Sequence, residues 1–138
     1  MQDLIERLEK SKSGGRDLDA LVEIEHRRLE AYAVGLNDKQ RAHWRPVGTK
    51  GEVEEGGCRY HPPTYSFDID AALRLVPEGW HAILYTENGT AELYNAKLKK
   101  RVGIRERSQA ATVPLAICAA ALRARASQFP NGEQGGAA

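Results

Sequence analysis

Three short clusters hold the residue types that could carry chemistry. The first is Cys58-Arg59-Tyr60-His61, a Cys-x-x-His pair with His43 upstream. A thiolate and an imidazole at that spacing make half of a zinc site, which takes four ligands in structural use and three with an open position in catalytic use. The second half is missing, because only His43 is near and Cys118 lies in a run that reads as a buried helix. The pair therefore predicts a loop cysteine and a histidine ahead of Pro62-Pro63, without a metal.

The second cluster is basic: Lys97, Lys99, Lys100, Arg101, Arg105 and Arg107 stand against Glu106, six bases to one acid and a net charge of +5. Such a run would neutralise phosphates or dock an acidic protein surface. Tyr85 and Tyr94 would add stacking faces if they share its side of a sheet. The competing reading is a solvated edge strand whose lysines prevent edge-to-edge pairing. The third cluster is His43-Trp44-Arg45-Pro46, where Trp44 and Arg45 are the residue types that dominate interface hot spots; otherwise Trp44 folds back over a sheet. No nucleophile elbow, phosphate-binding loop or His-Glu-x-x-His is present, and no histidine pairs with a serine or cysteine by motif. Asp68, Asp70 and Glu78 fall at helix ends, which accounts for them, and His81 beside Trp80 reads as a strand residue. The expectation is a protein that is not an enzyme, with no catalytic residue and no cofactor.

The composition agrees with an ordinary folded protein. At 138 residues the chain suits one domain, and a domain of this size buries roughly two-thirds of its unfolded surface without needing a metal or disulfide. Hydrophobic residues are 41% and charged residues 28%, with a net charge of +1, so any attraction to nucleic acid or an acidic membrane must come from a local patch. Two cysteines in unlike contexts predict a reduced protein. The opening residues are charged from Asp3 and no run approaches a membrane span, which predicts a cytoplasmic protein.

The elements that must position these clusters follow from periodicity. Leu4, Ile5 and Leu8 predict a short amphipathic helix ended by Ser13-Gly14-Gly15. A second helix carries Leu18, Leu21, Val22, Leu29, Tyr32 and Ala33 near one face, with Glu23, Glu25, Arg27, Arg28 and Glu30 mainly on the other; Asp17 is its expected N-cap and Gly35 or Asn37 its stop. From residue 37 to 63 glycines and prolines break the periodicity, so this stretch reads as a long irregular loop with a brief strand at Cys58 to Tyr60. A helix with Ile69, Ala72, Leu73 and Val76 is capped by Ser66 or Asp68 and stopped by Pro77 and Gly79. A strand from Trp80, a two-residue Asn88-Gly89 turn and a return strand from Thr90 to Lys97 form a hairpin. Val102 and Ile104 suit a third edge strand. A last helix, capped by Thr112 or Val113 with Pro114 in its first turn, is small and apolar on both sides. Together these predict an α+β fold: one α-β-α sandwich over residues 1–126, with a short antiparallel sheet and helices packed on it, and a disordered tail at 127–138.

Several of these residues, taken together, form a familiar set. Tyr65-Ser66, Asp70-Ala71-Ala72-Leu73, Val76-Pro77-Glu78-Gly79-Trp80, the hairpin, Ala111-Thr112, Pro114-Leu115-Ala116 and Cys118-Ala119-Ala120-Ala121-Leu122 resemble the phage ABA sandwich domain, as does Arg16-Asp17-Leu18-Asp19-Ala20-Leu21 in the opening helices. The likeness covers residues 1 to about 35 and 64 to about 126. It departs at 37–63, which is longer and more charged, and at Val113, which separates the usual Thr-Pro pair. What the resemblance implies is a small α/β sandwich of tailed phages or prophages; it brings no catalytic residue.

The leading expectation is thus a non-enzymatic phage or prophage accessory protein in the host bacterial cytoplasm. It would act by binding a host protein, such as an anti-phage defence component, through Trp44, Arg45, Lys97, Lys99, Lys100, Arg101 and Arg105. The alternative is a protein that sequesters a nucleotide or nucleic acid, with Tyr85 and Tyr94 stacking beside the basic strand. An exposed edge strand leaves room for a homodimer.

Overall fold

A computed structural model of the chain describes residues 2–36, 43–95 and 104–128, with the backbone alone at 94, 95, 104, 105 and 128. Lys97, Lys99, Lys100 and Arg101, the start of the long loop and the tail from 129 lie outside the described residues. Among the described residues the chain forms four helices and two antiparallel three-stranded sheets, an α+β fold.

Helix α1 (Gln2–Lys10) buries Ile5 and Leu8 along one stripe, as the periodicity predicts. Helix α2 (Arg16–Ala33) is capped by Gly15 and not by Asp17. Asp17 sits inside the first turn, where its carboxylate complements the positive helix end and pairs with Arg7 of α1. The helix ends at Val34, and Gly35 supplies the left-handed turn at φ 78°. The expected faces of α2 need one correction: Glu23 lies on the buried side with Leu18, Val22 and Leu29, whereas Ala33 is exposed.

The stretch expected as an irregular loop contains a sheet. Strands β1 (Trp44–Val47), β2 (Glu52–Glu55) and β3 (Cys58–Tyr60) form an antiparallel meander, sheet A, whose β3 is the brief strand anticipated. Gly56 and Gly57 make a two-residue turn between Glu55 and Cys58, both with positive φ, the geometry whose twist matches a hairpin. Val53 is the fully buried residue of this sheet, and β1 and β2 lie on α2.

Helix α3 (Ile69–Leu73) is a short piece capped by Asp68, whose carboxylate accepts from the Asp70 N–H at 2.9 Å. Strands β4 (His81–Tyr85), β5 (Thr90–Asn95) and β6 (Ile104–Gln109) form sheet B in the order β4-β5-β6. The β4–β5 connection is longer than the two residues expected. Tyr85 pairs with Thr90, so Thr86 to Gly89 form a four-residue loop, because the Ala110 N–H donates to the Gly89 carbonyl at 2.9 Å and holds the turn against the start of the last helix. Strand β6 also runs further than expected, through Ser108 and Gln109.

Helix α4 (Val113–Gln128) is the hub. Leu115 through Leu122 are all fully buried, since small side chains on every side let α1, α3 and the core face of sheet B approach together. Thr112 caps it, taking the Leu115 N–H on Oγ1 at 3.5 Å. Arg123 ties the hub outward, donating to Glu9 of α1 at 2.7 Å and to Ser108 of β6 at 3.2 Å.

Candidate functional site

Two acids of α2 are buried, and each has been given a structural task. Asp19 is 3% exposed and takes both the N–H and the hydroxyl of Ser66 on Oδ1, at 2.8 and 2.6 Å. Burial raises its pKa, with the Ser66 bonds opposing the rise. Glu23 is 1% exposed and accepts the phenol protons of Tyr60 at 2.9 Å and Tyr65 at 2.8 Å, with the Arg27 guanidinium at 3.5 Å. Burial and the Glu23 carboxylate push Tyr60 up to about 12 and Tyr65 higher still. Both phenols therefore stay protonated donors and serve as clamps that tie sheet A and the segment before α3 to α2.

His26, one turn further along α2, meets the Tyr65 ring edge-on at 6.5 Å between centroids and lies 2.6 Å from Glu30 through Nε2. Burial pushes its pKa down to about 4, with the Arg125 guanidinium adding to the push and the Glu23 carboxylate opposing it. An unfolded chain takes up this proton near pH 6.5 and the folded chain resists until about 4, so stability falls as pH drops through that window. The expected loss by pH 4 is at most roughly 3 kcal/mol. Urea unfolding of wild type and His26→Phe across pH 7 to 4 checks it: the variant should lose this part of the slope, and parallel profiles would refute the assignment.

Asp19 also floors a cleft of about 290 Å³ between the start of α2, the β1–β2 turn and the residues after β3, rimmed by Arg16, Lys50, His61 and Thr64. Its cationic rim suits a small anion, but the acid at its base is already held by Ser66. Sequence reading missed Asp19 and Glu23, and the signal was their four-residue spacing in step with Leu18 and Val22.

The expected site residues are dispersed. Arg45 is exposed but paired with Glu54 at 2.8 Å, and Arg59 approaches the same carboxylate at 3.8 Å. Trp44 is half-buried in β1, its indole N–H enclosed without a hydrogen-bond partner among the described residues. Cys58 is exposed on β3, His61 lies 4.0 Å from Glu52, and Cys118 is buried in α4 with its thiol on the Tyr65 carbonyl at 3.3 Å. Among the described residues no three His, Cys, Asp or Glu side chains gather as a metal site requires. No described helix is long and apolar enough to cross a membrane.

Sheet B does bring candidates together. The face away from α4 carries His81, Ile83 and Tyr85 on β4, with Arg107 and Gln109 on β6 across the intervening β5. The Arg107 guanidinium lies over the Tyr85 ring at 5.9 Å, a cation–π arrangement. Positions 81, 94 and 105 form one cross-strand row and 85, 90 and 109 another, so the register puts positions 85 and 94 in rows of the same pleat face. Ile83 and Tyr85 stand 37% and 43% exposed on it. Glu92, 7% exposed, fills the middle of this face opposite Ile83 and Arg107 in register.

No family model matches the chain, and no curated protein and no solved structure matches it.

Proposed function

We propose that the protein works by binding, and that its contact surface is the outer face of sheet B. The observation that carries this reading is the exposed group of Ile83, Tyr85 and Arg107, in which the guanidinium is already seated over the ring. Tyr and Arg dominate interface hot spots, and an exposed isoleucine next to Tyr85 on β4 suits a protein surface better than a phosphate backbone. The partner fitted to it is a protein presenting an apolar patch with an acidic rim. Under the resemblance to a phage domain, that partner is a protein of the host cytoplasm, and an anti-phage defence component is the first class to test.

A sequestered nucleic acid is the second reading. It is favoured by positions 85 and 94 lying on one pleat face with positions 105 and 107. The buried Glu92 in the middle of that face weighs against phosphate.

The test is capture from nuclease-treated bacterial lysate by the tagged wild type and by a Tyr85→Ala/Arg107→Glu variant. The expected result is a discrete host protein retained by wild type and weakened at least about tenfold in the variant. Equal capture by both would remove this surface from the reading. In lysate not treated with nuclease, association with nucleic acid alone, falling steeply with salt, would replace the protein partner by the second reading.

A further inference from the structure

The two edges of sheet B are built differently. The β6 edge carries charge along its length, with Arg105, Glu106 and Arg107 in succession. Charge of this kind is how natural sheets discourage pairing with another chain. The β4 edge, His81-Ala82-Ile83-Leu84-Tyr85, has no Lys, Arg, Asp, Glu or Pro. Its exposure is unusual in a second way. Ala82 lies on the core side of the sheet, opposite the fully buried Leu93, yet it is exposed, because among the described residues β5 is the only strand beside β4. Ile83 and Tyr85 are exposed on the other side. A strand without charge or proline, and with no strand on its outer edge among the described residues, is a template for a further strand.

We propose that this edge pairs with the β4 edge of a second copy of the chain, antiparallel about a two-fold axis at Ile83. Outward-pointing amides belong to alternate residues of β4, either 81, 83 and 85 or 82 and 84. Both sets are symmetric about Ile83, so the edge is its own complement. In this register Ile83 opposes Ile83 of the second copy, Ala82 opposes Leu84 and His81 opposes Tyr85, with no like charges facing. The contact is isologous and closes after two copies, since the opposite edges of the resulting six-stranded sheet are the charged β6 strands. A five-residue edge buries little area, so the dimer is of the class that dissociates on dilution. It uses the same exposed strand as the partner reading above, but self-association and capture of a second protein are read by different measurements, so either can fail without the other.

The test is sedimentation of the full chain over a concentration series, beside Ile83→Lys. The wild type should rise from the monomer toward the dimer value with concentration, and the variant should stay at the monomer value with an unchanged circular dichroism spectrum. If that variant does not fold, Ile83→Cys in a Cys58→Ala background decides. Directly opposed residues of an antiparallel pair have Cα atoms about 4.5–5.5 Å apart, within disulfide reach. Position 83 should therefore cross-link on oxidation, whereas Gln109→Cys in the same background should not. A wild type that stays monomeric at every concentration, a dimer that survives in folded Ile83→Lys, or equal cross-linking at 83 and 109 would each overturn the proposal.

Discussion

Replacing Glu23 by alanine is expected to lower the unfolding free energy by about 3–5 kcal/mol, the scale on which breaking a buried charged network by removing one partner is felt. The carboxylate accepts from Tyr60, Tyr65 and Arg27 while only 1% exposed. Its removal leaves two phenols and a guanidinium around a void that none of them can fill. The loss is not spread evenly. Tyr65 is buried and Tyr60 half-buried, so water can replace the lost partner at Tyr60 but not at Tyr65. Tyr65→Phe should therefore cost about 1–2 kcal/mol and Tyr60→Phe less than about 1. Urea unfolding with the slope held in view measures all three. A Glu23→Ala loss below about 1 kcal/mol would mean that the network contributes packing alone.

Gly89→Ala should be the other large effect, at about 2–4 kcal/mol. Part of it is conformational, because Gly89 holds φ 62°, where a Cβ is disfavoured. The larger part is spatial. A Cβ built there meets the Ala110 carbonyl oxygen at 2.2 Å, and that contact is backbone, so no side chain can swing away. Relief would require separating the β4–β5 turn from the residues that lead into α4, with loss of the Ala110–Gly89 hydrogen bond. Gly57→Ala is the control. Its φ is 88°, yet nothing lies within 4 Å of the added carbon, so only the conformational part remains, about 1 kcal/mol. Equal losses at the two glycines would show that the contact at Ala110 relaxes freely.

These two positions mark what could be read from the residues and what could not. The second hairpin was legible because Asn88-Gly89 lies between two runs rich in apolar and aromatic residues, Trp80 to Tyr85 and Thr90 to Tyr94, and the last helix was legible from Thr112 and Pro114 at its start. The length of the turn was not, since it is set by the contact with Ala110, far along the chain. Strands β1 and β2 of sheet A escaped because they are polar: Val53 alone is fully buried, so the period-two signal reduces to one residue. The Gly56-Gly57 turn was present as a hairpin signal but had no apolar alternation around it. The buried acids of α2 were hidden for the opposite reason. Charged residues on a helix normally mark its wet face, and only the later arrival of Ser66, Tyr60 and Tyr65 makes an inward carboxylate tolerable. On the candidate surface, the shared face of positions 85 and 94 was readable as a condition on the register. The ion pair that occupies Arg45 and the seating of Arg107 on Tyr85 were not, because both depend on pairing across strands.

The place of α4 as hub has a consequence for how the chain folds. Its contacts with α1 join the two ends of the described chain, and the Arg123–Glu9 bond spans 114 residues of sequence. Loops of that length close slowly, and the apolar stripe of α1 has little to bury against until α4 has been made, whereas α2 can already pack on sheet A. On the ribosome the first helix therefore waits, amphipathic and unsatisfied, and the main core condenses after α4 emerges.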